Sequence, residues 1–258
     1  MGLLDKLFSK KDPLDDLLED EALPVASLAH ETSDATPYAH ELDAFMDRMF
    51  PGRNVVVWRE KNMEAGRVDV CVMQPTAKEP YYVLYTSGMS AQEMTLDHLP
   101  YPEHYSYLRR AELLMYLPAA WPMQTLFSAG ENPVPESVYW PVRALKYLAR
   151  MPQLCNTWLG AGHSVPNGDP MVPFEGAQGF SGMMLYFPDE GNGPKKLLPV
   201  PTDDGQIMLY VAVPVYAEEM NYKLAAGADA LENRLRALPN AEAFIVTNGR
   251  KNTCQGGV

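Results

Sequence analysis

Basic charge is what this 258-residue chain has too little of: 21 Lys and Arg stand against 33 Asp and Glu, a net charge of −12. Nucleic-acid binding rests on clustered Lys and Arg against phosphates, so that function class is excluded. No apolar run approaches the roughly 20 residues of a membrane-spanning helix. Cysteine is scarce as well. Cys71, Cys155 and Cys254 are too few and too scattered for a disulfide framework or a zinc site, which predicts a reducing, cytoplasmic compartment and no cofactor. Cys71 and Cys155 sit in apolar contexts and read as buried, whereas Cys254 reads as an exposed thiol.

Catalytic signatures are also missing. Gly179-Phe180-Ser181-Gly182-Met183 nearly spells a nucleophile elbow, but Met183 stands where the last glycine belongs, so Ser181 reads as a strand residue. Gly191-Asn192-Gly193-Pro194-Lys195-Lys196 lacks the spacing and hydroxyl of a phosphate-binding loop. Asp97-His98 and Glu103-His104 are two acid–imidazole pairs, and Pro100 and Pro102 keep them off one helical face. A hydrolase or metal enzyme built on His98, His104 and His163 is therefore the alternative reading, with no metal ligand set assigned.

What is present is a folded core. The chain is 47% hydrophobic and 10% aromatic, which excludes wholesale disorder. Residues 1–35 read as an acidic leader, with nine acidic residues against three lysines. Its leucine stripes, Leu3, Leu4, Leu7 with Phe8 and then Leu14, Leu17, Leu18, are open to docking or to anchoring. The domain proper is placed at 36–247, opening with Thr36 as helix N-cap and Pro37 in the first turn, and 248–258 reads as a polar tail. Leu42, Phe45, Met46, Met49 and Phe50 form a helical stripe. Strands are predicted at 54–60, 66–74, 81–86, 110–117, 180–187 and 207–215, with a short one at 244–247. Helices are predicted from Trp140 to Arg150, at 216–224 and at 228–238, and 88–105 reads as an excursion. The first three strands leave no room for helical crossovers, which predicts an α/β (α+β) fold with a mixed, largely antiparallel sheet flanked by helices.

Three segments carry a likeness. Trp140-Pro141-Val142-Arg143-Ala144-Leu145-Lys146-Tyr147-Leu148-Ala149-Arg150 is followed by Trp158-Leu159-Gly160-Ala161-Gly162-His163. Glu218-Glu219-Met220 precedes Gly227 and Leu231, and Leu84-Tyr85-Thr86-Ser87-Gly88-Met89-Ser90 lies between a strand and the excursion. In this order they resemble the suppressor-of-fused domain, in its bacterial single-domain form. The resemblance implies a non-catalytic domain that binds a protein partner. Animal members sequester zinc-finger transcription factors by clamping an extended peptide as an added strand between two lobes, and this chain is similar to the first lobe. Partner-facing positions would then be Met151, Trp158, Gly162 and His163, with Trp140 or Trp158 as an anchor if exposed. Gly162 stands where the animal proteins carry an acid, although Asp169 lies close downstream, and 239–258 is too short for a second lobe. Some bacterial members are thought to be immunity proteins, and the acidic charge would suit a basic toxin domain as partner.

Overall fold

A computed structural model of the chain describes residues 20–21, 30–60, 66–129, 132–189 and 191–255. The leucine stripes of the leader lie outside these residues. Strands β1 (Asp20–Glu21), β2 (Val55–Glu60), β3 (Asp69–Met73), β4 (Tyr81–Ser87), β5 (Ala111–Pro118), β6 (Ser164–Pro166), β7 (Phe180–Tyr186), β8 (Val200–Thr202) and β9 (Gly205–Tyr216) form the sheet. The helices are α1 (Ala39–Met49), α2 (Met123–Phe127), α3 (Glu136–Cys155), α4 (Ala217–Ala226) and α5 (Ala228–Arg236). The sheet order is β1-β2-β3-β4-β5-β9-β7-β6, with β8 paired to β9. All pairs are antiparallel except β5 with β9, as the sequence predicts for a mixed, largely antiparallel sheet.

Strand alternation splits the core in two, because successive side chains point to opposite faces. Val70, Val72, Leu84, Leu113, Met115, Tyr210, Ala212, Met183 and Leu185 share one face with the apolar stripe of α3. Cys71, Met73, Val83, Tyr85, Leu114, Tyr116, Leu209, Val211 and Met184 share the other with α1 and α5. Central strands are buried on both faces, which is why they read as unbroken apolar runs rather than alternating ones.

Several expectations shift. Helix α3 begins at Glu136 rather than Trp140, so Pro141 lies inside it and removes one backbone bond. Thr36 does not cap α1. Its hydroxyl lies 3.0 Å from the Ser90 hydroxyl, and the helix starts at Ala39 without a side-chain cap. The strand predicted at 244–247 is reduced to one bridge, Ile245 to Tyr116. Cys71 is buried, while Cys155 is half-buried and Cys254 lies 3.5 Å from a guanidinium nitrogen of Arg234. Ser181 is a buried β7 residue whose hydroxyl donates to the Gly179 carbonyl.

Besides the α3 segment in the core, the other two family-like segments also do structural work. The carboxylate of Glu112, fully buried on β5, accepts from Thr86 Oγ1 (2.6 Å), Gly88 N (3.0 Å), Ser90 N (2.9 Å) and Ser90 Oγ (2.6 Å). Gly88 is required there: its φ is +135°, and a Cβ would lie 2.2 Å from the Arg67 carbonyl oxygen. Glu219, at the third position of α4, accepts from Arg250 Nη1 (2.7 Å) and Nη2 (2.6 Å), and from the backbone of Tyr216 and Thr253. Arg250 is 4% exposed, so the segment read as a polar tail contains a buried anchor.

Candidate functional site

The site is built where α3 ends and the sheet's last strand begins. Asn156 takes the left-handed conformation (φ 50°) and stops the helix, its N–H donating to the Pro152 carbonyl. Trp158 follows, and Gly160 makes room for it. A Cβ on Gly160 would come within 2.5 Å of the Trp158 ring. Gly162, at φ +81°, then turns the chain so that its N–H donates to Leu185 O at 2.8 Å, while Leu185 N donates to His163 O at 2.9 Å. These bonds start β6, which pairs with β7 through Ser164↔Met184, Val165↔Met183 and Pro166↔Gly182. Pro166 suits an outermost strand, where a missing N–H breaks no ladder.

The outer side of β6 faces no strand among the described residues. Beside it, Ala144, Tyr147 and Leu148 of α3 meet Val165, Pro166, Phe174 and Met183 in an apolar cleft. Its cavity of about 10 Å³ is too small for a side chain, so a ligand would lie across the cleft rather than inside it. Met151 and Trp158 are half-buried and pack against the same core cluster as the cleft's Val165 and Met183. Of the expected residues Trp158 and His163 meet, His163 lying edge-on to Trp158 at 4.3 Å between ring centroids.

His163 is held below the usual imidazole range by burial and then by the nearby Lys223 charge, so the ring is neutral at neutral pH. Lys223 itself donates to Ser164 Oγ at 2.9 Å. The charge beside β6 is thus a cation, in keeping with the glycine at 162. Asp169, the nearby acid, is exposed and precedes a cis proline.

Trp140 does not join the site. At 2% exposure it lies among Trp121, Phe174 and Phe180, with centroid distances of 6.0, 6.4 and 6.1 Å, and serves as core. Its position on the buried stripe of α3 takes it away from any partner. His98 and His104 are exposed, and each has its own neighbour. His98 Nε2 is 3.2 Å from the Asn156 carbonyl, and His104 stacks on Tyr101. No group of three His, Cys, Asp or Glu side chains able to hold a metal lies together among the described residues. No helix among them is long and apolar enough to cross a membrane.

Sequence reasoning missed β6 itself, because three residues, one of them proline, give no alternating signal. Only the Gly-rich approach to His163 hinted at it.

The family model for Suppressor of fused protein (SUFU) matches residues 64–251, most of the chain. No curated protein matches by sequence. Among solved structures, Drosophila Suppressor of Fused is similar at 13% identity with a TM-score of 0.58, covering 85% of this chain and 52% of its own, so the chain spans about half of that protein. A SUFU homolog from Neisseria gonorrhoeae FA 1090 is similar at 13% identity and a TM-score of 0.54, covering 84% of this chain and 96% of its own. With two identities this low the structures speak for the fold, and the family match covers all three segments that carry the sequence likeness, 84–90, 140–163 and 218–231. The chain belongs to the suppressor-of-fused family.

Proposed function

We propose that this chain is a non-catalytic protein-binding domain that takes an extended segment of its partner along the outer edge of β6. The observation that carries the reading is that unpaired edge, set beside an apolar cleft, with Met151 and Trp158 half-buried against the same core cluster. Backbone bonds to the edge would supply affinity, and the two side chains would supply pocket contacts. Trp is enriched among residues that dominate binding energy, and Trp158 is the half-buried one. Catalysis has no comparable support: His98 meets the Asn156 carbonyl, His104 stacks on Tyr101 and His163 lies against Trp158, so each histidine has a different neighbour.

The more specific form of the proposal is an immunity protein, with a basic toxin domain as partner. The net charge of −12 supports it through steering of a cationic partner. The test is capture of proteins encoded beside this gene, followed by affinity measurement with Trp158→Ala and Met151→Ala. Each variant should weaken the captured partner about tenfold or more while leaving the thermal unfolding transition cooperative. Unchanged affinity in both variants would sink the groove. If the captured partner proves acidic, the toxin form goes and the groove stays.

A further inference from the structure

Among the described residues eight large apolar side chains are left exposed, and three of them, Tyr101 (68%), Tyr105 (37%) and Tyr107 (48%), share one short turn. The turn, a 3-10 segment over Pro102–Leu108, is held in place. Leu108 is buried, Met94 N donates to Arg109 O at 2.7 Å, and Thr95 N donates to Thr157 O at 3.1 Å. Tyr101 itself adopts φ 60° and ψ 59°, the left-handed region that bulky side chains avoid. His104 stacks on its ring at 5.7 Å between centroids. A strained backbone that displays an aromatic ring to water gains nothing from burial, which marks it as a candidate for function.

The charges around the rings have one sign to spare. Asp97 and Glu103 are exposed, and the one ion-pair contact of either among the described residues is Glu103 to His104 at 4.0 Å. The nearby cations Arg109 and Arg110 both face Glu93, at 3.4 Å each. Exposed tyrosine rings on a turn that carries the solvent-facing Glu103, with exposed Asp97 four residues before Tyr101, suit a guanidinium or ammonium group with an aliphatic stem, which can lie over a ring while its charge meets an acid. The same carboxylates repel anionic lipid headgroups and phosphates.

We infer that the Tyr101–Tyr107 turn, with Asp97 and Glu103, is a second docking surface whose occupant is an arginine- or lysine-bearing polypeptide segment. It is independent of the β6 groove and does not require it. The probe is a synthetic peptide of three arginines spaced by glycine, titrated into the full chain at low and moderate salt. Tyr101→Ser/Tyr107→Ser should weaken binding about tenfold, roughly 1.4 kcal/mol, with the unfolding transition unchanged. Asp97→Asn/Glu103→Gln should weaken it several-fold and flatten its salt dependence. Met151→Ala should bind the peptide as the parent does, which separates this surface from the groove. Equal binding after loss of both tyrosines would mean diffuse attraction to an acidic protein and would overturn the inference. So would absence of peptide binding, loss of it in Met151→Ala alone, or sedimentation with phosphatidylglycerol vesicles in place of peptide binding.

Discussion

Glu112 and Glu219 are both fully buried carboxylates wrapped in hydrogen bonds, yet they answer burial in opposite ways. Burial drives the Glu112 carboxyl above the ordinary range, and the bonds from Ser90, Thr86 and Gly88 offset only part of that. Burial also pushes Glu219 up, but the Arg250 hydrogen bonds and charge outweigh it, and the net direction is down. Neutral donors satisfy lone pairs without supplying a countercharge, and in a low-dielectric interior that difference decides the protonation equilibrium. Both clusters hold sheet to periphery: one fixes the turn after β4, the other ties residues 250–253 to α4.

The largest break should come from Arg250→Met, which strands Glu219 without its countercharge. A loss on the order of 3–5 kcal/mol is expected in urea unfolding. Adding Glu219→Gln should recover much of it, and failure to recover would mean that lost packing on Phe180 and Tyr216, rather than the bare charge, sets the cost. Glu112→Leu should cost about 2–3 kcal/mol, since Gly88 and Ser90 lose the acceptor for their N–H groups. Glu112→Gln keeps one acceptor oxygen and removes the charge, so its cost should stay near 1 kcal/mol or below. A Gln cost as large as that of Leu would show that the native state needs the anion.

The pH dependence sharpens the same contrast. Asp43 is raised to about 6 by burial, partly offset by the Tyr85 hydroxyl that donates to it at 3.0 Å. Carboxyls raised in the folded state, Asp43 and Glu112, add stability as pH falls through their raised values toward the ordinary range near 4. Glu219 does the reverse: its contribution is complete above about pH 4.5 and is lost as pH falls through its lowered value. Stability should therefore rise by roughly 1–2 kcal/mol from pH 7 to about 4.5, and fall at lower pH as Glu219 takes up its proton. Asp43→Asn with Glu112→Gln should abolish the rise and keep the acid fall. A modest effect belongs to the β6 margin, where Trp158 is only half-buried: Trp158→Ala should cost about 1–2 kcal/mol of stability. A cost above about 3 kcal/mol would place that ring in the core and remove it from the groove.

Much of the fold was legible because its signals are local. The α1 stripe, the six longer strands and the α4–α5 pair divided at Gly227 follow from periodicity and turn residues, and their ends moved by a few residues at most. The start of α3 was misplaced because proline at position 141 looks like a first turn, while the tertiary contacts of Trp140 and Val138 carry the helix past it. The site was legible only in part. Trp158 and His163 lie against each other beside Gly162, but Trp140 went to the core, and nothing local distinguishes a buried tryptophan from an exposed one.

The amino-acid order alone settled the layering, the antiparallel pairing of the first strands and the acidic charge, since each depends on neighbours within a few residues or on composition. Only the tertiary structure decided that three residues around Val165 would close the sheet with a free edge, and that Glu219 and Arg250 would meet in its interior. Those outcomes join segments 20 to 30 or more residues apart, and such contacts form through packing and desolvation between elements, which no local pattern encodes.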